Sequence, residues 1–291
     1  LAILLAKLKG AKTIYNVQEI YPDLLINLGH LKNPFLINFL KRLERFVYNS
    51  SNVVTTIDKQ FYNIIKPRIR QRSSLQIIPN FVDTDLYVTE SSAKLPAEFL
   101  SEPGFTNMLY AGNIGLAQEW DLVLNLAKEI RDEFITIWII GEGVKKEYLK
   151  SQIEKHQLSN IKLLPYQDRK YMPAINLFAD FHFIAMDKSM ENEGFPSKVY
   201  SIMASGRPMV IVSSENTPIT SFLNETDTSL FVTDHSLSGF KNAVLKLARD
   251  KELRISMGSK GRKIIDQDYT KEKVINQYVS LFEKIVPKNN L

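Results

Sequence analysis

Six short apolar runs recur through the later part of the chain, and their spacing leaves few folds open. They fall at residues 107–111, 135–140, 161–164, 181–185, 209–212 and 229–232, rich in β-branched or aromatic side chains and too short for packed helices. Between them, apolar residues repeat at helical spacing over 120–131, 144–156, 171–178, 196–205, 219–223 and 240–249. A strand that returns to the same sheet through a helix pairs in parallel, so the pattern predicts an α/β domain of Rossmann-like design. Ligands of such sheets sit at the carboxyl ends of the strands, where the helices begin.

The first third repeats the pattern in thinner form. Residues 13–18, 52–57 and 75–78 read as strands, with an amphipathic basic helix over 34–49 and Asp58 as N-cap of a helix running to Ile65. Periodicity lapses over 86–104, which gathers Ser91, Ser92, Pro96, Pro103 and Gly104 and reads as a domain boundary. The expected organisation is an incomplete Rossmann-like domain over 1–98, a second such domain over 105–268, and a C-terminal helix in 269–291 that crosses back to the first. Three strands make a thin sheet, and the chain opens without Met inside a helical pattern. The expectation is a fragment, or a chain whose first domain another polypeptide completes.

Hydrophobic content of 44% is ordinary for a soluble globular protein. Without cysteine there are no disulfides or thiolate zinc sites, which suits a reducing, cytoplasmic setting. The apolar run at 1–5 is too short to span a membrane and lacks the preceding basic stretch of a secretory signal. The net charge of +5 resides in the first 100 residues, with 13 Lys+Arg against 8 Asp+Glu. Lys41, Arg42, Arg45, Lys66, Arg68, Arg70 and Arg72 carry it. Such a face suits nucleic acid, an anionic membrane or phosphorylated substrates, and a solvated helix face is the plainer alternative.

Three loops follow strands and precede helices: Gly112-Asn113-Ile114-Gly115, Gly141-Glu142-Gly143, and residues 191–197. Glycines there let backbone approach a phosphate, although tight turns alone explain any one of them. Their convergence on one sheet edge favours a nucleotide-like ligand. The run Gly141-Glu142-Gly143-Val144-Lys145-Lys146 lacks the third glycine of the dinucleotide fingerprint, which disfavours nicotinamide binding. In the third loop, Pro196 and Ser197 suit a first helical turn, and Gly206 suits a left-handed cap before Pro208. Lys198 in that first turn makes the helix start a natural anion site.

Other candidates read as structural. Asp83-Thr84-Asp85 sits where aspartates form turns, and Asp266-Gln267-Asp268 reads as a loop before the final helix. His30, His156, His182 and His235 are scattered without metal-ligand spacing, and His182 lies within a strand pattern. No nucleophile elbow, P-loop or kinase signature occurs.

Several pieces in order resemble the family 4 (group 1) glycosyltransferases, retaining enzymes of the GT-B fold. Ile78-Pro79-Asn80-Phe81-Val82-Asp83 resembles the element joining the two halves, and Tyr110-Ala111-Gly112-Asn113 the first donor-domain strand and loop. Ile140-Gly141-Glu142-Gly143 is similar to the next loop. Glu193-Gly194-Phe195-Pro196 with Met203-Ala204-Ser205-Gly206-Arg207-Pro208 resembles the most specific signature, and Met257-Gly258 with Gly261-Arg262 a late helix. Val17-Gln18-Glu19-Ile20-Tyr21-Pro22-Asp23 and Pro196-Ser197-Lys198 resemble the branch that builds bacterial capsule, exopolysaccharide and O-antigen sugars.

The resemblance implies a sugar transferred with retention from a nucleotide donor, expected to be UDP-linked, to a lipid-linked or growing surface polysaccharide. It implies that Glu193 contacts the donor sugar, with Gly194 and Phe195 backbone near the sugar and diphosphate, and Gly112 letting the diphosphate approach. Donor contacts are further expected from Asn113, Gly115, Gly141, Gly143, Pro196 and Ser197. Lys198 is the candidate to stabilise the leaving diphosphate, so that no cofactor and no metal is expected. The chain departs from the family pattern at Ser201, where a second glutamate usually meets the ribose. Asn113 and Gln118 replace phosphate-binding basic residues, Gln18 stands for a histidine, and Phe81 for a glycine. Expected partners are the donor, the glycan acceptor and the inner face of the cytoplasmic membrane, with no nucleic acid. An inactive nucleotide-binding remnant, or one subunit of a split enzyme, is the alternative; a GT-B epimerase would need cleft carboxylates and histidines that the sequence does not display.

Overall fold

A computed structural model describes every residue except 1, 28, 71–72, 88–94, 192–193 and 287–291. The chain divides into two units, Leu1–Phe81 with Tyr269–Leu291 and Val82–Asp268.

The first unit begins with α1 (Ala2–Leu8), β1 (Ile14–Val17), α2 (Asp23–Asn27), α3 (Pro34–Ser50), β2 (Val53–Thr56), α4 (Lys59–Ile65) and β3 (Ser74–Ile77). Its strands form a parallel sheet in the order β1-β2-β3, and the central strand β2 is buried at every residue. Helix α3 starts where the Asn33 side chain accepts the Phe35 and Leu36 N–H groups, with Pro34 in the first turn. Asp58 caps α4 by accepting the Phe61 N–H at 2.7 Å, as its sequence position suggests. Only Tyr48 of α3 is buried, while Phe35 and Phe39 are 86% and 61% exposed. Arg68 is spent internally, paired with Asp23 and Glu44.

The second unit contains β4 (Thr106–Ala111), α5 (Trp120–Glu129), β5 (Ile135–Ile140), α6 (Lys146–Lys155), β6 (Ile161–Leu164), α7 (Met172–Phe178), β7 (Phe181–Ala185), α8 (Lys198–Ala204), β8 (Met209–Val212), α9 (Pro218–Leu223), β9 (Ser229–Val232), α10 (Leu237–Arg249) and α11 (Lys251–Asp268). Among the described residues its six strands are all parallel, ordered β6-β5-β4-β7-β8-β9. Strands β5, β7 and β8 are buried at every residue, as strands covered on both faces must be. Phe181, Phe183, Phe240 and Met108 are almost wholly enclosed, and each such side chain contributes about 1.5–3 kcal/mol.

This order reverses direction between β4 and β7, the place where doubly wound sheets open a crevice. The two strands pair only at Met108↔Phe181 and Leu109↔His182, so pairing stops short of Ala111. The loops that leave them therefore flank a gap.

Two local expectations are corrected. Helix α8 starts at Lys198 rather than Pro196, and Ser197 makes no side-chain cap. Asp266-Gln267-Asp268 form the last turn of α11 rather than a loop. Acidic residues at that end oppose the helix dipole, but Met257, Gly258, Gly261 and Ile265 bury one face of α11 and Arg262 pairs with Asp266 one turn on. The last helix, α12 (Lys271–Ile285), belongs to the first unit, where Val274 and Leu281 pack with Val53 and Ile78.

Candidate functional site

The gap between the β4 and β7 loops is closed by one lysine. Lys198, the first residue of α8, holds its Nζ 3.7 Å from the centre of the Tyr110 ring on β4. A Cβ added to Gly112 would stand 2.6 Å from the same Nζ, and Gly112 has a φ of +151° that side-chain-bearing residues rarely adopt. Both the shape and the backbone of this corner therefore ask for glycine. Burial lowers the Lys198 ammonium to about 7, and among the described residues no carboxylate offsets it. The residue keeps part of its surface, so the desolvation falls on the amine end. A desolvated ammonium gains strongly from an arriving anion, which supplies an opposite charge in a setting where water screens it little.

Tyr110 is fixed in turn. Its hydroxyl donates to the Asn113 carbonyl at 2.7 Å, and burial pushes its phenol up. The other glycines serve loop packing. A Cβ on Gly141 would run into the Gly112 carbonyl oxygen, and one on Gly143 into the Ile114 carbonyl. Ile114 N–H donates to the Glu142 carbonyl at 2.8 Å and Lys145 N–H to the Ile114 carbonyl at 2.9 Å, so the β4 and β5 loops are laced together. Gly115 is buried and its carbonyl accepts the Trp120 indole N–H at 2.9 Å. Asn113 is exposed, with its amide in the space a side chain would need at Gly115.

Along the third loop, Glu193 lies outside the described residues. Gly194 has open space where a Cβ would stand. The Phe195 ring packs on Tyr200 and Phe222 at 5.3 and 5.1 Å between centroids. Ser197 is exposed, and the carbonyls of Pro196 and Ser197 accept from Val199 and Tyr200. The Ser201 hydroxyl donates to the Lys198 carbonyl at 2.8 Å and bonds the Tyr87 phenol. Gln118 turns its amide to the Ala117 carbonyl and the Met186 sulfur.

Arg262 donates to the carbonyls of Ala204 and Tyr87 at 2.9 and 2.6 Å, and Gly258 lies under the Gly206 carbonyl. The motif around residues 257–262 thus holds the far end of α8, where Gly206 takes the left-handed cap.

A cluster missed in the sequence lies beside the third loop. His235 presents Nδ1 to Glu119 at 2.8 Å and Nε2 to Glu191 at 3.1 Å. The same Glu191 oxygen accepts the Ser214 N–H at 2.8 Å and the Ser213 hydroxyl at 3.4 Å. Burial pushes the Glu191 carboxyl up, but bonds from Ser214 and the His235 ring outweigh it and hold the group below the usual range. The residues are separated by 116 and 44 positions in the chain, so no local spacing marks them. His182 is different: buried in the sheet against the Asn176 carbonyl, its imidazole is lowered to about 3 and stays neutral.

Comparison with known proteins places these loops within a family match. The family Glycosyl transferases group 1 matches residues 92–264. WcaI of Escherichia coli (strain K12), a glycosyl transferase named for colanic acid biosynthesis, is 27% identical over 222 residues, 74% of this chain and 54% of its own. WbjE of Pseudomonas aeruginosa, named as a glycosyltransferase, is 23% identical over 225 residues, 75% of this chain and 55% of its own. The chain therefore spans about half the length of these relatives. The crystal structure of Anabaena HepE in complex with UDP-glucose superposes with a TM-score of 0.74 at 14% identity, covering 97% of this chain and 75% of that one. The chain belongs to the group 1 glycosyl transferases and has their GT-B type of fold.

Proposed function

We propose that the chain serves transfer of a sugar from a nucleotide-diphosphate donor, UDP-linked, to a lipid-linked or growing bacterial surface polysaccharide, with retention at the anomeric carbon. The observation that carries this reading is the buried Lys198 ammonium, held against Gly112 and the Tyr110 ring at the strand-order reversal. The UDP-glucose bound by Anabaena HepE supports the donor class, and the name of WcaI supports the acceptor class.

In this reading the bond between the anomeric carbon and the diphosphate breaks while an acceptor hydroxyl bonds that carbon from the same face. The hydroxyl proton passes to the departing phosphate oxygen. Lys198 stabilises the negative charge that develops on the diphosphate, in a pocket whose desolvation strengthens the attraction. Gly112 leaves room for the diphosphate, Glu193 meets the donor sugar, and the backbone of Gly194 and Phe195 lies near both. Ser201 falls at the ribose position with its hydroxyl already bonded inside the fold. The reading requires no metal ion.

Among the described residues no helix is long and apolar enough to cross a membrane. The acceptor side is assigned to a membrane surface through α3, where Phe35, Phe39 and Phe46 are exposed beside Arg42 and Arg45. These arginines and Arg70 line a groove of about 660 Å³ and make no ion pair among the described residues. Calorimetry of the chain against UDP, GDP and ADP tests the donor assignment: binding of UDP in preference to the others supports it, and binding of none refutes it.

A further inference from the structure

His235 stands in a left-handed backbone conformation, with a φ of +56°, that residues other than glycine seldom adopt. Such strain persists where surrounding contacts impose it, and here the contacts are polar. His235 is 7% exposed and Glu191 5%, so theirs is no surface ion pair. A buried carboxylate is costly unless its oxygens are served, and Glu191 is served by three residues: His235, Ser213 and Ser214.

The cluster gathers one residue or more from four of the loops at the carboxyl ends of the sheet. Glu119 closes the loop after β4, Glu191 lies in the loop after β7, Ser213 and Ser214 follow β8, and His235 follows β9. Ser213 continues the chain of bonds to Thr217 at 2.8 Å, which caps α9. Each ring nitrogen of His235 faces a carboxylate oxygen. Glu119, Glu191 and the neighbouring Asp234 supply negative charge around it. The proposed chemistry uses none of these groups directly. They do fix Glu191, the residue from which the chain runs to Lys198, and Lys198 is fixed at the other end against Tyr110 and Gly112.

We infer that His235 is a positioning residue for the nucleotide-sugar site: it ties Glu191 to the β4, β8 and β9 loops and so anchors residues 186–191 of the loop after β7 beside that site. The inference rests on the donor-site reading given above. Residues anchored before binding need no ordering when the donor arrives, so loss of the tie weakens affinity more than it slows the bound complex.

The test compares the parent chain with His235→Ala and Glu191→Gln, the second keeping shape while removing charge. Amide hydrogen exchange is followed without nucleotide, then UDP affinity by calorimetry, then kcat and KM for the nucleotide sugar. The expected result for His235→Ala is exchange at least tenfold faster at 187–191 and 213–215, with amides of β5 unchanged. UDP affinity and KM should worsen about five- to twentyfold, with kcat within about threefold of the parent; Glu191→Gln should move each in the same direction by less. Where His235→Ala does not fold, Glu191→Gln carries the same readouts. Unchanged exchange at 187–191, or faster exchange spread evenly over the unit, overturns the inference by leaving His235 a general staple of the fold. Local loosening with unchanged UDP affinity overturns the positioning role alone. A parent chain that binds no UDP refutes the donor-site reading first, and the positioning role with it.

Discussion

The Nζ of Lys198 lies 2.6 Å from the point where a Cβ on residue 112 would stand. Glycine at 112 and lysine at 198 are therefore one feature of the site, because the absent side chain of the first is the berth of the second. The strand order brings them together: β4 and β7 are neighbours at the reversal, and the loops that follow them carry these two residues.

Gly112→Ala and Gly141→Ala should separate packing from function. At 112 the new methyl meets the movable end of Lys198, whereas at 141 it meets the backbone carbonyl of Gly112. Both pay for an unfavourable φ, about 1–3 kcal/mol. Thermal unfolding should show Gly141→Ala as clearly the less stable of the two. UDP titration should show Gly112→Ala, still folded, with weakened affinity; equal stability of the two variants would contradict the assignment.

Burial lowers the Lys198 ammonium from 10.5 to about 7. Between these values the unfolded chain binds the proton that the folded chain has released, so this residue makes stability rise with pH across that window. Below about pH 7 both states are protonated and the cost of burying the charge is present in full. Urea unfolding at pH 6.5 and 9 should show a gain that Lys198→Met lacks. Because an anion restores the charged form, UDP binding at pH 8 to 9 should take up protons. Calorimetry in buffers of different ionisation enthalpy measures that uptake, and its absence would contradict the diphosphate role.

Much of this architecture was legible from residue order. Among the described residues the nine strands fall within about one residue of the apolar runs. For β2, β5, β7 and β8, buried at every residue, a strand covered on both faces has few alternatives to a short apolar, β-branched stretch. Helix ends were less legible: the Pro196-Ser197 start gave way to Lys198, and Asp266 to Asp268 stayed helical because α11 is anchored along its other face. The Glu119–His235–Glu191 cluster was not legible at all. Its members come from separate loops, and His235 in isolation looked like one of four scattered histidines. Arg68, counted as part of a basic face, proved to be tied to Asp23 and Glu44, which only the tertiary packing determines.

Glu193→Gln should reduce sugar transfer far more than nucleotide affinity, since the proposed partner of Glu193 is the sugar. Parallel measurement of UDP affinity and of kcat decides the matter. Equal loss of both would count against the role.

Reversing charge at Lys41, Arg42 and Arg45 should weaken binding of the chain to vesicles containing anionic lipid, with little change on neutral vesicles. Arg42 and Arg45 are exposed and make no ion pair among the described residues, so reversal there breaks no internal contact; Lys41 lies 3.7 Å from Asp23 in a partly exposed pair. Stability should therefore change by less than about 1 kcal/mol. Unchanged vesicle binding would remove the membrane assignment of α3.

The central claim is that Lys198 receives the diphosphate of the donor. Calorimetric titration of UDP into the parent chain and into Lys198→Ala at pH 7 tests it most directly. A charge-assisted contact is worth about 1–3 kcal/mol, so affinity should fall roughly five- to 150-fold while uridine, lacking the diphosphate, distinguishes the two proteins little. UDP binding to Lys198→Ala as tightly as to the parent would contradict the claim.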